Sequence, residues 1–301
     1  MKIKKIIIVL LLCFLPMASF ARKVGETLPA WEEGYMDIHH INTGCGECTY
    51  IILPDGTTML IDAGENKAGN PRHVSPKPNA SRTPGEWIVD YIKTMAPVRK
   101  QKLDYALITH FHSDHMGGVL KMKNESDRYY NTGIITVAEN LQIGMLVDRG
   151  FPDYDYLVNT EDKMIKNYFN FLHFTKRKIN VEQFVPGVDN QFRLLHDSTR
   201  YAGKFKIQNI YANGWLWTGK GHGKRYLFPD FDILEKYDIP QENTLSCAIK
   251  IMYGSFSYYT GGDVTGYPKP GRGMFHDVET WMAPVVGHTE VCCVNHHGYN
   301  N

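Results

Sequence analysis

Six consecutive residues, His110-Phe111-His112-Ser113-Asp114-His115, constrain this chain more than anything else in it. They follow Leu103-Asp104-Tyr105-Ala106-Leu107-Ile108-Thr109, a short apolar run that reads as a strand. Side chains two apart on extended backbone point the same way, so His110 and His112 share a face. Asp114 and His115 fall beyond that segment, as the chain turns. Neutral imidazole and carboxylate are the ligands Zn²⁺ takes from proteins where thiolate is absent. The competing reading is a surface histidine cluster without metal, which this density at a strand end disfavours. Met116-Gly117-Gly118 then gives the backbone room to turn into a helix.

The rest of the chain is expected to bring other strand ends to this loop. Residues 36–42 and 48–53 read as strands, and Pro54-Asp55-Gly56 is a turn in which Pro sets φ and Gly supplies positive φ. Residues 58–61 complete a meander and deliver Asp62-Ala63-Gly64. After a polar loop over 65–81, Thr83-Pro84-Gly85-Glu86 forms a capping box with Pro at the first helical position, which predicts a helix from 84 to about 95. Strands are expected over 245–252 and 256–260, the second ending at Gly261-Gly262-Asp263. A last strand, 289–295, ends at His296-His297-Gly298. Asp62, the His110 loop, Asp263 and one of His296 or His297 thus make a constellation gathered from four strand ends, a rigid platform for a metal. Residues 124–241 are hardest to read: rich in Tyr, Phe, Asn and Lys, with a helix over 161–174. They read as an insertion that shapes a pocket.

Residues 1–21 form a separate object. Lys2, Lys4 and Lys5 precede an apolar stretch from Ile6 to Leu15, and Ala18-Ser19-Phe20-Ala21 offers small residues for cleavage. That pattern is a secretory signal, with a retained N-terminal anchor as the alternative. The expected product is a soluble chain, secreted or periplasmic, with no membrane segment and one domain over 22–301. It keeps Cys45, Cys48, Cys247, Cys292 and Cys293, an odd number that cannot all pair. Cys45-Gly-Glu-Cys48 has zinc-like or redox-like spacing, or is a buried pair or a local disulfide; Cys292 and Cys293 read as core. With 33 basic and 32 acidic side chains, net +1, no global field attracts nucleic acid.

The segment Thr109 to Gly118 resembles the H-x-H-x-D-H signature of the metallo-β-lactamase superfamily. Leu60-Ile61-Asp62-Ala63-Gly64 is similar to that family's early strand-end aspartate, and Thr260-Gly261-Gly262-Asp263 to its metal-bridging aspartate. Val294-Asn295-His296-His297-Gly298 resembles the closing motif of the ComEC-type and phosphorylcholine-esterase-like branches. The resemblance implies an α+β fold, an αβ/βα four-layer sandwich with a dinuclear site along its upper edge. It implies His110, His112, Asp114, His115, Asp263 and His296 as ligands, with Asp62 and Asn243 supporting them. Asp114, Asp263 and His297 are the expected catalytic residues, and the expected cofactor is two Zn²⁺, with Mn²⁺ or Fe as alternatives. The family's third histidine, about twenty residues before the bridging aspartate, is missing: that stretch reads Gln241-Glu242-Asn243-Thr244-Leu245-Ser246. The ComEC-type branch also carries Asn and Ser there. His222 is the candidate to reach in instead; His39, His40, His196 and His288 read as ordinary strand or loop residues. Such domains usually continue past the last motif, so a missing C-terminal edge is part of the expectation.

The reaction expected is hydrolysis of a phosphoester, foremost a phosphodiester, in a small molecule or polymer. A bound water ionised near neutral pH would be the nucleophile. Whichever of His296 and His297 does not bind metal would contact substrate or protonate the leaving oxygen. The alternatives are a lactonase, thioesterase or β-lactamase, and a non-catalytic binding module presenting Tyr129, Tyr130, Trp215, Trp217 and Tyr226.

Overall fold

The computed structural model describes residues 24–44, 46–65, 74–75, 77–97, 102–118, 122–123, 127–266 and 270–299. The leader expected over 1–21, Cys45 of the C-x-x-C pair and most of the 65–81 loop lie outside these residues. Met1–Ala30 and Trp31–Asn301 are separate units, and the second carries everything that follows. No helix among the described residues is long and apolar enough to cross a membrane.

The strands are β1 (Asp37–His40), β2 (Thr49–Ile52), β3 (Thr58–Ile61), β4 (Lys102–Leu107), β5 (Met122–Lys123), β6 (Tyr130–Asn131), β7 (Gln142–Asp148), β8 (Asn180–Gln183), β9 (Phe205–Ala212), β10 (Trp215–Trp217), β11 (Lys224–Tyr226), β12 (Ala248–Tyr253), β13 (Phe256–Thr260) and β14 (Val291–Cys292). The helices are α1 (Pro84–Met95), α2 (Ser113–Met116), α3 (Gly133–Asn140), α4 (Lys163–Phe174) and α5 (Val278–Val286). One six-stranded sheet has the order β1-β2-β3-β4-β7-β8, the other β11-β10-β9-β12-β13-β14, and β5 pairs with β6 apart. Both large sheets mix antiparallel and parallel pairs.

Register explains the layering. Ile51 opposes Met59, and Tyr50 opposes Leu60. The first pair joins Leu107, Val147, Ile207, Ile249, Ile251 and Tyr258 in a core between the sheets. The second pair faces away, packing with Ile88 and Ile92 of α1, Ile134 and Val137 of α3 and Phe171 of α4. On the outer face of the second sheet, Ile210, Ala248 and Tyr259 cover Val278 and Met282 of α5. Helices, sheet, sheet and helix make the α+β, αβ/βα four-layer sandwich that the resemblance leads one to expect. Because β2 and β3 are buried on both faces, they read as continuous apolar runs instead of alternating ones.

Local signals behave as their chemistry dictates. Thr83 Oγ1 accepts from Glu86 N at 3.3 Å, and Thr83 N donates to Glu86 Oε2 at 2.7 Å, closing the capping box of α1. In the turn between β2 and β3, Gly56 has φ +79° and Asp55 Oδ1 accepts from Thr57 N at 2.9 Å.

Residues 127–241 are woven through the sandwich. They supply β7 and β8 to the first sheet and β9, β10 and β11 to the second. The compositional shift reflects polar residues buried with partners: Gln208 Nε2 donates to the carbonyls of Gly187 and Val188, and Asn209 Nδ2 to that of Val185. The final strand is shorter than expected, and Cys292 is exposed because β14 is an edge strand paired on one side. Among the described residues, Cys48 and Cys247 are the buried cysteines.

Candidate metal centre

The ends of β3, β4 and β13 meet at one edge of the sandwich. Asp62, fully buried just after β3, has φ +60°, which turns its carboxylate toward the neighbouring strand end. There Thr109 N donates to Oδ1 at 2.7 Å, and Thr109 Oγ1 donates to Oδ2 at 2.7 Å. His115 Nδ1 donates to Asp62 Oδ2 at 2.8 Å. One carboxylate therefore locks the start of the histidine loop and commits His115 Nδ1, leaving Nε2 directed outward.

Backbone contacts hold the remainder of the loop. His115 O accepts from Ala63 N at 2.7 Å, Ser113 O from Glu65 N at 3.0 Å, and Asp114 O from Glu47 N at 2.8 Å. Gly64 permits this approach: a Cβ there would sit 1.9 Å from Asp114 O and 2.5 Å from its carbonyl carbon. Gly64→Ala is therefore expected to lose about 1–3 kcal/mol or more, since backbone cannot yield as a side chain does. A urea midpoint unchanged from wild type would show that the loop tolerates the displacement.

Two sets of donors converge around Asp263. His110, His112 and Asp263 form one, and Asp114, His115, Asp263 and His297 the other, with ligand atoms in each set within 4.8 Å of one another. Asp263 Oδ2 lies 3.7 Å from His110 Nε2, while Oδ1 lies 2.9 Å from His115 Nε2 and 3.6 Å from His297 Nε2. His110 Nε2 and His112 Nδ1 are 3.1 Å apart, and His297 Nε2 is 3.3 Å from Asp114 Oδ2.

His296 and His297 both have left-handed backbone, with φ 50° and 53°. Two successive residues so turned aim both rings at Asp263, from opposite oxygens. His297 joins the second set. His296 Nε2 stands 3.8 Å from Asp263 Oδ2 and 3.0 Å from Asn243 Nδ2. Asn243 and His296 thus fill the side where the resemblance led one to expect a third histidine. His222 does not reach in: it is exposed and pairs with Asp189 at 3.3 Å.

The donor chemistry fits a pair of divalent cations. Burial, helped by the neighbouring histidines, holds the His110 imidazole well below its usual range, so it is neutral and able to coordinate. Burial also works against a charged His115, but Asp62 and Asp263 outweigh it and raise the group well above its ordinary value. For Asp114, burial opposes ionisation, yet the hydrogen bond from His297 and the His115 charge bring it down to about 2. Asp62, Asp114 and Asp263 together create a demand for positive charge that protons on His115 and His297 meet when no metal is bound. His115 Nε2, its other nitrogen committed to Asp62, faces His297 Nε2 at 3.3 Å; a cation taking the place of the protons there would be held by both nitrogens.

Three supporting residues carry no signal in the sequence. Glu47 Oε2 lies 3.7 Å from His297 Nδ1. Buried Arg149, after β7, donates through Nε to Glu242 Oε1 at 2.7 Å, and that oxygen also accepts from Phe111 N at 2.8 Å. Their sequence distance from the loop hides them. Of the aromatic residues considered as a binding surface, Tyr129 is core, whereas Trp215 and Tyr226 are exposed and 5.0 Å apart.

The family model for the metallo-beta-lactamase superfamily matches residues 43–127, which hold Asp62 and the whole histidine loop. No curated protein matches the chain. Among solved structures it is similar to CmlA, a diiron beta-hydroxylase from Streptomyces venezuelae, at 15% identity and TM-score 0.39, covering 88% of this chain and 35% of that one. It is similar to Zn(2+)-bound PqqB from Methylobacterium extorquens at 10% identity and TM-score 0.34, covering 71% and 51%. A probable metal-dependent hydrolase from Staphylococcus aureus shares 12% identity at TM-score 0.34, covering 78% and 76%. The chain spans about a third of the length of the hydroxylase, 35%.

Proposed function

We propose that this chain is a metal-dependent hydrolase that cleaves a phosphodiester, or a closely related phosphoester, outside the cytoplasm. The observation that carries the reading is Asp263, whose two carboxylate oxygens face two separate sets of nitrogen and oxygen donors. His110, His112 and Asp263 Oδ2 would hold one ion; Asp114, His115, His297 and Asp263 Oδ1 would hold the other. Zn²⁺ suits both sets, with Mn²⁺ or Fe as alternatives. Two such ions supply Lewis acidity toward a phosphoryl oxygen and water ionised near neutral pH.

The protein's own residues provide orientation. Asp62 holds the His115 ring through Nδ1, and Glu47 stands behind His297. His296, joined to Asn243 and beside Asp263 Oδ2, takes the role of contacting substrate or protonating the leaving oxygen. A carboxylate placed between two donor sets suits phosphoryl transfer, since ions held by His110, His112, Asp114, His115, His297 and Asp263 would supply positive charge to a phosphoryl group. The basic, apolar, small-residue order of residues 1–21 supports export and hence an extracytoplasmic substrate, small or polymeric.

The test is a substrate panel on the metal-loaded chain. Turnover of bis-p-nitrophenyl phosphate, abolished by chelation and restored by Zn²⁺ or Mn²⁺, is expected to exceed that of lactone, thioester and β-lactam substrates. Faster cleavage of a lactone or thioester would move the chain to that branch of chemistry. A folded, metal-loaded chain inert toward all of them would leave the binding module.

A further inference from the structure

We propose that His40, Glu47 and Cys293 form a third metal site, for a thiophilic ion such as Zn²⁺, beside the Asp263 centre. One nitrogen of His40, one oxygen of Glu47 and the Cys293 sulfur all lie within 4.8 Å of one another. The three come from separate stretches of backbone, each pinned. His40 ends β1, paired with Thr49 of β2. Glu47 N donates to Asp114 O at 2.8 Å, and its carbonyl accepts from Gly64 N at 2.9 Å. Cys293 follows β14 and donates its N–H to Tyr259 O at 2.8 Å. Nothing local in sequence groups them, so their convergence belongs to the fold.

The chemistry of the trio calls for a cation. Cys293 Sγ sits 2.7 Å from Glu47 Oε1. The thiol proton is held by that carboxylate, and a divalent ion taking its place would find two anionic ligands already side by side. His40 Nδ1 meets Thr49 Oγ1 at 3.2 Å, the kind of contact that fixes a coordinating ring. Imidazole, carboxylate and thiolate together select Zn²⁺ or a similar borderline-soft ion over Mg²⁺ and Ca²⁺. His40 is exposed, so an ion can enter, and three protein ligands leave a coordination position open. The second oxygen of Glu47 is 3.7 Å from His297 Nδ1, so occupancy here bears on a residue of the Asp263 centre.

Cobalt distinguishes this site from the other two. The donors around Asp263 are nitrogen and oxygen alone, so a near-ultraviolet thiolate-to-Co²⁺ charge-transfer band reports on a cysteine. Titrating the full chain with Co²⁺ is expected to give that band in wild type. It should vanish in Cys293→Ser with one equivalent less metal bound, weaken in His40→Ala, and persist in Cys292→Ser. A wild-type chain without the band, or a Cys293→Ser variant that keeps it, overturns the proposal. Hydrolase activity plays no part in the readout, so the site stands or falls apart from the proposed reaction.

Discussion

Asp263→Asn is expected to leave a folded chain that binds at most one ion at the main centre and turns over phosphodiester at least ~10³-fold more slowly. An amide has one acceptor oxygen where the carboxylate has two. Whichever way it is oriented, its NH₂ must face either His110, 3.7 Å from Oδ2, or His115, 2.9 Å from Oδ1. A donor in place of an acceptor cannot bridge, and the bound pair loses both its shared ligand and a negative charge. The fold should survive, because the change is nearly isosteric and Asp263 N keeps its hydrogen bond from the backbone to Ser246 Oγ at 3.2 Å. The measurement pairs metal analysis with turnover in the same preparation. A variant that still binds a full complement of ions and works within about tenfold of wild type would show that Asp263 does not bridge, and the phosphodiester reading would lose its main support.

That test concerns residues that could be found by reading alone, and the reason is physical. His110, His112, Asp114, His115, Asp62 and Asp263 announce themselves because each sits within a few residues of a strand end, and strand ends are marked by local pattern. The capping box of α1 and the turn after β2 were equally legible, since each is a short-range exchange of hydrogen bonds. The segment 124–241 was opaque for the opposite reason. Strand β9 buries Gln208 and Asn209 among backbone partners contributed by residues 185–188, so its polarity speaks against a core strand that it nevertheless forms. The resemblance makes His296 a ligand and His297 catalytic, whereas left-handed φ at both residues turns both rings inward and it is His297 that groups with Asp114, His115 and Asp263. Cys292 and Cys293 looked like core by composition; one lies exposed on an edge strand, and the other meets Glu47 from far along the chain.

Arg149 lies at the far limit of what sequence can reveal, and its replacement should be among the most damaging away from the metal ligands. It is fully buried after β7, and both Glu242 oxygens accept from it, Oε1 from Nε and Oε2 from a terminal nitrogen. Its remaining nitrogen, Nη1, donates to both Asn213 Oδ1 and Tyr156 O, each at 3.1 Å, and the guanidinium lies 4.9 Å from the Phe111 ring centroid. Phe111 stands between His110 and His112, and its N–H is held by the same Glu242 oxygen. Arg149→Met leaves the partly buried Glu242 charge without its partner, so a loss of about 2–4 kcal/mol is expected from urea unfolding of the metal-free chain. The histidine loop loses its anchor too, and metal affinity should fall roughly 10–100-fold, as when a ligand's outer support is removed. Adding Glu242→Gln to Arg149→Met removes the stranded charge while retaining an acceptor for Phe111 N–H, so the double variant should regain part of both losses. Recovery of stability without recovery of metal affinity would separate the two roles, assigning the ion pair to packing alone. If Arg149→Met proves as stable as wild type and binds metal as tightly, the clamp does not hold the loop, and His110 and His112 are positioned by Thr109 and Asp62 without it.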